Sequence, residues 1–365
     1  MRISELDTPA LLIDLDVMEA NLRRVADYAR QYRLRLRPHT KTHKIPALGR
    51  KQIESGAVGL TVAKVGEAEV MLGSGTPDLL VAYPVLGRRK LERLVAVARR
   101  TRVTVALDST HAAHQLSDAA REHQVDFAVL AEMDVGLGRI GVDPGDDLVR
   151  LAQSIARFPR LALEGIAFYP GHIKMMDEAG EKEIDRVSSL VEDTTARLKA
   201  AGLPPRVVSG GSTPALYFSH RVAGLNEVRP GTYIFNDRNT VACGSCRLED
   251  CAGTILTTIV STARPGQVII DGGSKTFFSD RLATTGEATF GYVREAPAAV
   301  FHKMNEEHGY VDMRKVADHQ FEVGDRLRII PNHICVAMNL HEQVYGVRGD
   351  VVEEIWRVEG RGKLQ

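Results

Sequence analysis

The sequence predicts an α/β protein: a (β/α)8 TIM-type barrel followed by a smaller β-rich C-terminal domain. Three observations point there. Through the first two thirds, short apolar runs alternate with longer segments of helical periodicity, the pattern of a parallel sheet with crossover helices. The number of these units favours a closed barrel over an open sheet. After about residue 240, short β-rich runs separated by turn signals take over.

The apolar runs are ALLIDLD (10–16), VGLTVA (58–63), LLVAYPV (79–85), VTVALD (103–108), FAVLAEMD (127–134), LEGIAFYP (163–170) and RVVSGG (206–211). Between them lie DVMEANLRRVADYARQYR, KVGEAEVMLGSG, GRRKLERLVAVARR and EIDRVSSLVEDTTARLKAAG, with apolar residues at helical spacing. The later β-rich runs are TILTTIVSTA, QVIIDGG, FGYV, DRLRIIPNHICVAMN, QVYGV and VVEEIWRV. The expected domains are therefore 1–240 and 241–365, with the first N-terminal residues packing on the second.

Composition narrows the class. The chain has 365 residues, with Lys plus Arg and Asp plus Glu balanced at 47 each, so no general electrostatic footprint for nucleic acid exists. No window reads as a membrane span, and no secretory signal is visible at the N-terminus. Four cysteines do not make a disulfide framework in a chain this long. The expectation is a cytoplasmic protein.

The densest chemistry lies in Arg37-Pro38-His39-Thr40-Lys41-Thr42-His43-Lys44. It follows the strand-like RLRLR, where a barrel strand meets the catalytic edge. In an extended chain Lys41 and His43 share one side, and Thr42 and Lys44 the other. A lysine at a barrel mouth can be a Schiff-base nucleophile when burial or nearby cations favour its neutral form, and Arg37 and Lys44 are the nearby cations. A solvated basic loop fits the same spacing.

Ser209-Gly210-Gly211-Ser212-Thr213-Pro214 follows an apolar run and precedes a possible helix. Glycines, hydroxyls and free N–H groups can cradle a phosphate. A second such group, Gly231-Thr232-Tyr233, lies in VRPGTYIFND. Two loops after the last barrel strands match the usual phosphate site of the architecture, although each alone also reads as a capped turn. In Pro331-Asn332-His333-Ile334-Cys335, His-x-Cys within a strand would put imidazole and thiol on one face, a pair suited to zinc. Arg139, in EMDVGLGRIG, could meet an anionic ligand or a surface carboxylate. Cys243, Cys246 and Cys251 read as free thiols ahead of a structural zinc site.

Taken together and in order, RPHTKTHK, MDVGLGRIG, SGGSTP, VRPGTYIFND, DGGSK and PNHIC make the sequence resemble the D-threonine aldolase and D-serine dehydratase group. These are fold-type III pyridoxal phosphate (PLP) enzymes with an alanine racemase-like barrel. The resemblance runs from about residue 7 to about residue 357. It implies that Lys41 forms the Schiff base with PLP, and that His333 and Cys335 hold a divalent metal beside it. Zinc is favoured, with manganese or magnesium as options. Ser212, Thr213, Gly231 and Thr232 would bind the phosphate, with Tyr233 close by. Arg139 would lie near the ring hydroxyl, and Tyr169 against the ring. Arg229 matches by position the arginine that meets the pyridine nitrogen in alanine racemase.

Aldolases of the group carry Gln-Ala-Tyr-His-Gly where this chain has Ala167-Phe168-Tyr169-Pro170-Gly171. Their further histidine is replaced at the same spacing by Met175, with His172 a nearby substitute base. At the metal they resemble His-x-Asp, whereas His-x-Cys resembles the dehydratases. The implied function is a PLP- and metal-dependent lyase acting on small D-β-hydroxy amino acids. Retro-aldol cleavage of the D-threonine type is the first reading. Dehydration of D-serine or D-threo-3-hydroxyaspartate is the alternative. Amino-acid racemisation is more remote, because no second acid/base opposes Lys41. A non-catalytic PLP carrier is disfavoured by the second domain. The resemblance also implies a homodimer.

Overall fold

The computed structural model describes residues 1–282, 288–317 and 321–365. They form two compact units. One is Arg24–Gly231 with Gly362–Gln365; the other is Met1–Arg23 with Thr232–Arg361.

The strands, in chain order, begin with β1 (Ala10–Asp14). The next eight are β2 (Arg35–Leu36), β3 (Leu60–Val62), β4 (Asp78–Val81), β5 (Arg102–Leu107), β6 (Phe127–Glu132), β7 (Leu161–Ala167), β8 (Val207–Gly210) and β9 (Glu227–Val228). These eight are ordered β2-β9-β8-β7-β6-β5-β4-β3, and every pair is parallel. The two ends of the order meet at a bridge between His39 and Thr61, where Thr61 N–H donates to Pro38 O at 2.8 Å. This bridge, with Val58 N–H to Leu36 O at 2.9 Å, closes the ring between β2 and β3. Helices such as Pro46–Glu54, Arg88–Ala98, Thr110–His123, Asp146–Arg157 and Glu178–Ala200 connect the strands. Their starts carry the expected chemistry: Pro46 at the first turn, and Ser109 and Asp177 accepting N–H groups of Ala112 and Gly180. Strand β6 is buried along its whole length, as a strand covered on both faces must be. Leu80, Ala106, Leu130, Ala167 and Val207 form a core cluster on successive strands.

Among the described residues, the other unit is a nine-stranded mixed sheet. To β1 it adds β10 (Gly253–Arg264), β11 (Gln267–Ile270), β12 (Gly291–Val293), β13 (Val300–Met304), β14 (Gly309–Asp312), β15 (Arg326–Pro331), β16 (Gln343–Arg348) and β17 (Val351–Arg357). The main path is β13-β14-β11-β10-β1-β16-β17, and β15 pairs with β10 and β12.

Two expectations change here. The run ALLIDLD does not open the barrel alternation. Its strand β1 lies between β10, antiparallel, and β16, parallel. Its apolar pattern suits any doubly buried strand, so composition alone cannot choose its sheet. The expected boundary at 240 also moves: the units part between Gly231 and Thr232. The segment after Gly231 is tied into the sheet unit by Ala252 N–H to Phe235 O at 2.7 Å and by the Asn21 amide to Asp250 O at 2.8 Å.

Candidate active site

In the barrel unit, Lys41 sits in the 3-10 turn Thr40–Thr42, directly beyond the closing bridge. The turn breaks the alternation expected of an extended chain: Lys41 is exposed while His43 is fully buried. His43 accepts the Ile45 N–H at 3.0 Å and meets Gln52 at 3.2 Å. Burial lowers its pKa to about 4, against smaller opposing hydrogen bonds, so it is a neutral structural imidazole. His39 is likewise pushed well below the ordinary histidine value, first by burial and then by Lys41 and Arg229.

Arg37 and Lys44 do not serve as neighbouring free cations for Lys41. Arg37 forms buried ion pairs with Asp78 at 2.9 Å and Glu227 at 3.0 Å, and Lys44 pairs with Glu67 at 3.2 Å. What Lys41 does face is Tyr169. Its ammonium lies 5.9 Å from the Tyr169 ring centroid, and the Arg139 guanidinium lies 5.1 Å from the same centroid. Lys41, Arg139 and Tyr169, from three different strand ends, thus gather around one aromatic ring. The Arg139 loop is held by Asp134, whose carboxylate accepts N–H groups of Gly136, Leu137 and Gly138 at 2.9, 2.9 and 2.7 Å.

Ser212 and Thr213 are buried just beyond β8, and the Ser212 hydroxyl accepts the Ala215 N–H at 3.3 Å. The helix expected after them is a 3-10 segment, Leu216–Arg221. Gly231 admits no side chain: a Cβ there would stand 2.9 Å from Thr42 Oγ1 and 3.0 Å from His39 O. Arg229 is buried, donates from Nη2 to Phe168 O at 3.0 Å, and leaves Nη1 with no hydrogen-bond partner. Burial lowers its pKa, with Glu132 and Glu227 opposing. Glu132 is buried too, its carboxyl pushed up by desolvation, and its Oε2 also lacks a partner. Sequence reasoning missed Glu132. Its position as the one carboxylate closing an otherwise apolar strand was the available signal.

Thr232, Tyr233, His333 and Cys335 belong to the sheet unit. Thr232 opens the 3-10 segment Thr232–Ile234, in which Tyr233 is buried. His-x-Cys is not within a strand, as had been expected. β15 stops at Pro331, His333 caps a helix, Ile334–Leu340, and Cys335 lies in its first turn. The buried Asn332 enforces the turn: its amide donates to Asp280 O at 2.9 Å and Thr289 O at 2.6 Å, and its oxygen accepts from Arg238 at 3.1 Å. Asp237 accepts the Ile334 N–H at 3.0 Å. The two side chains still meet. Burial disfavours the His333 cation, but Cys335, Asp237 and Asp280 outweigh it and push its pKa up to about 9. Asp280 lies 3.3 Å from His333 Nδ1, and Thr232 Oγ1 lies 3.6 Å from Cys335 Sγ. The other three cysteines are free thiols; Cys243 and Cys246 both bond to Thr240.

The residues fit the expected groups on these observations. In the barrel unit the Lys41 ammonium and the Arg139 guanidinium beside the Tyr169 ring make a cationic, aromatic setting that suits an anionic aromatic cofactor. Imidazole with thiol is a soft donor pair suited to zinc. Among the described residues no set of three or more His, Cys, Asp or Glu side chains is arranged to hold a metal, so two protein donors leave positions for water or substrate. No described helix is long and apolar enough to cross a membrane.

Comparison with known proteins agrees with this geometry. Residues 13–239 match the model of the alanine racemase N-terminal domain, and residues 252–347 that of a putative serine dehydratase domain. The chain is 33% identical to 3-hydroxy-D-aspartate aldolase of Paracoccus denitrificans (strain Pd 1222), covering 99% of this chain and 93% of that protein. The solved D-threonine aldolase of Filomicrobium marinum superposes with a TM-score of 0.93 at 32% identity, over 99% of this chain and 98% of that one. A mutant D-threo-3-hydroxyaspartate dehydratase in the metal-free form gives 0.89 at 31% identity, over 98% of each chain. This chain belongs to the fold-type III PLP enzymes, in the group of lyases that joins D-threonine aldolases to D-serine dehydratases on an alanine racemase-like barrel.

Proposed function

We propose that the protein is a PLP- and divalent-metal-dependent lyase that cleaves D-β-hydroxy amino acids of the D-threonine type into glycine and an aldehyde. Lys41 would join the cofactor, Arg139 and Tyr169 would meet its ring, Arg229 its pyridine side, and Ser212, Thr213, Gly231 and Thr232 its phosphate, with Tyr233 close by. His333 and Cys335 would hold the metal, zinc ahead of manganese or magnesium. When bound, PLP supplies an electron sink at the α-carbon and the metal a Lewis acid for the β-oxygen. His172 would take the hydroxyl proton, which releases the Cα–Cβ bond. If Lys41 instead takes the Cα proton, hydroxide leaves and an oxo acid and ammonia follow.

The observation that carries the aldol reading is His172, whose Nε2 lies 2.7 Å from Glu183 while its Nδ1 is buried without a hydrogen-bond partner. That is an imidazole held in place by a carboxylate, three residues after Tyr169. The dehydratase reading keeps one point in its favour, the Cys335 donor. We infer a homodimer in the cytoplasm, the latter in keeping with the free cysteines.

The test is a product assay on D-threonine with PLP and zinc or manganese. Glycine and acetaldehyde are expected; ammonia and 2-oxobutanoate would make the protein a dehydratase. Lys41→Ala should abolish both products and the visible absorbance of the lysine-bound cofactor. Full turnover in excess chelator would exclude the metal.

A further inference from the structure

The geometry points to a modification site in the sheet unit: Cys246 and Cys251 are a thiol pair that a peroxide closes, reversibly, into a disulfide. This site is independent of the lyase reading above.

A tight turn makes the pair. Arg247 N–H donates to the Asp250 carboxylate at 2.8 Å, Asp250 N–H to Arg247 O at 3.1 Å, and Cys251 N–H to Leu248 O at 3.1 Å. These bonds bring the two ends of segment 246–251 together, and the thiols of Cys246 and Cys251 hydrogen-bond each other. The turn is anchored at both ends. Cys246 Sγ donates to Thr240 Oγ1 at 3.4 Å. The Asp250 carbonyl accepts the side-chain amides of Asn21 and Asn236 at 2.8 and 3.1 Å.

The two sulfurs are unequal. Cys251 is buried, at 3% exposure, whereas Cys246 is partly exposed. The bond with Cys251 holds the Cys246 thiol below its ordinary pKa, against burial. The same bond, together with burial, pushes the Cys251 thiol up. The reachable sulfur is thus the nucleophile, and the buried one stands behind it as the resolving thiol. Cysteines that only fill a core are buried and inert. Cys243 is of that kind, 4% exposed and bonded to Thr240 O at 3.2 Å. Nor does a metal gather the thiols: among the described residues no three His, Cys, Asp or Glu side chains are arranged to hold one.

The chemistry balances in two steps. The Cys246 thiolate attacks a peroxide oxygen; an S–O bond forms, the O–O bond breaks, and hydroxide leaves to become water. Cys251 sulfur then attacks the sulfenic sulfur of Cys246. The S–S bond forms, the S–O bond breaks, and the oxygen departs as water with the Cys251 proton. Two thiols lose two electrons, and hydrogen peroxide is reduced to two waters. Dithiothreitol returns the electrons and restores the thiols.

Arg247 lies between the two cysteines, which makes the test direct. Trypsin cuts after it, parting peptide 239–247, with Cys246, from the peptide that carries Cys251. The full chain supplied with PLP and zinc is treated with a slight excess of hydrogen peroxide and digested without reductant. The two peptides should stay joined in most chains, at their summed mass less two hydrogens, and part in dithiothreitol. Cys246→Ser should lose the joined species, and Cys243→Ser should keep it. Cys251→Ser should stop at a sulfenic acid on Cys246, trapped by a 1,3-dione reagent. Separate peptides from the treated wild type overturn the assignment, whether Cys246 is still a thiol or has become a sulfinic acid. So does a link made through Cys243, or oxidation of Cys335 while the pair stays reduced. The wild-type map decides the matter even where a variant fails to fold.

Discussion

Arg37 and Arg229 stand at equivalent places and have opposite fates. Each is the first residue beyond its strand, and the strands, β2 and β9, are paired side by side. Both side chains are buried, at 3% and 8% exposure. Arg37 is matched by two carboxylates, Asp78 and Glu227. Arg229 bonds one carbonyl, and Glu132 and Glu227 act on it only through longer-range attraction. Burying a charge costs several kcal/mol unless partners compensate. The matched arginine is part of the barrel's construction. The other is the arginine proposed to meet the cofactor, and its burial is compensated less completely.

Removing each arginine should break this comparison in a different way. Arg37→Met leaves Glu227 and Asp78 buried with only Ser209 and Arg102 as their strongest remaining partners. It should cost about 3 kcal/mol or more of stability, seen as a lowered denaturation midpoint in the cofactor-free protein. A second break comes from acid, through His43, which is buried neutral. Its folded pKa of about 4 lies below the ordinary value, so the unfolded chain binds more protons as the pH falls. Stability is complete above pH 6.5 and declines as the pH drops toward 4. Between pH 7 and pH 5 the loss from this residue should be about 2 kcal/mol, and His43→Gln should flatten that part of the stability profile. Arg229→Met is the sharpest contrast and the smallest effect. The cofactor-free protein should keep its stability, while PLP affinity, followed by absorbance titration, falls about tenfold, or about 1.4 kcal/mol. An Arg229 variant destabilised as much as the Arg37 variant would erase the distinction.

Lys41, the Ser212 and Thr213 turn and the alternation of strands and helices were legible because each depends on local order. The clustering of Lys41 and Arg139 on Tyr169 came only through the family resemblance, since local order does not say which strands end beside one another. His-x-Cys looked like a strand because DRLRII leads into it. The break at Pro331 and the Asn332 bonds to Asp280 and Thr289, about fifty residues away in sequence, turn it into a cap. Glu183 gave no signal at all. It lies among other carboxylates on an amphipathic helix, and only its distance to His172 separates it from them.

The placement of β1 bears on how the chain is made. Leu12 pairs with Tyr345, so β1 leaves the ribosome well before the strand β16 that completes its ladder. Synthesis proceeds at about 5–20 residues per second, which is a delay of tens of seconds at the slower rate. The barrel strands between them emerge and pair in the meantime. A buried apolar strand held back for that long is exposed to wrong partners during translation.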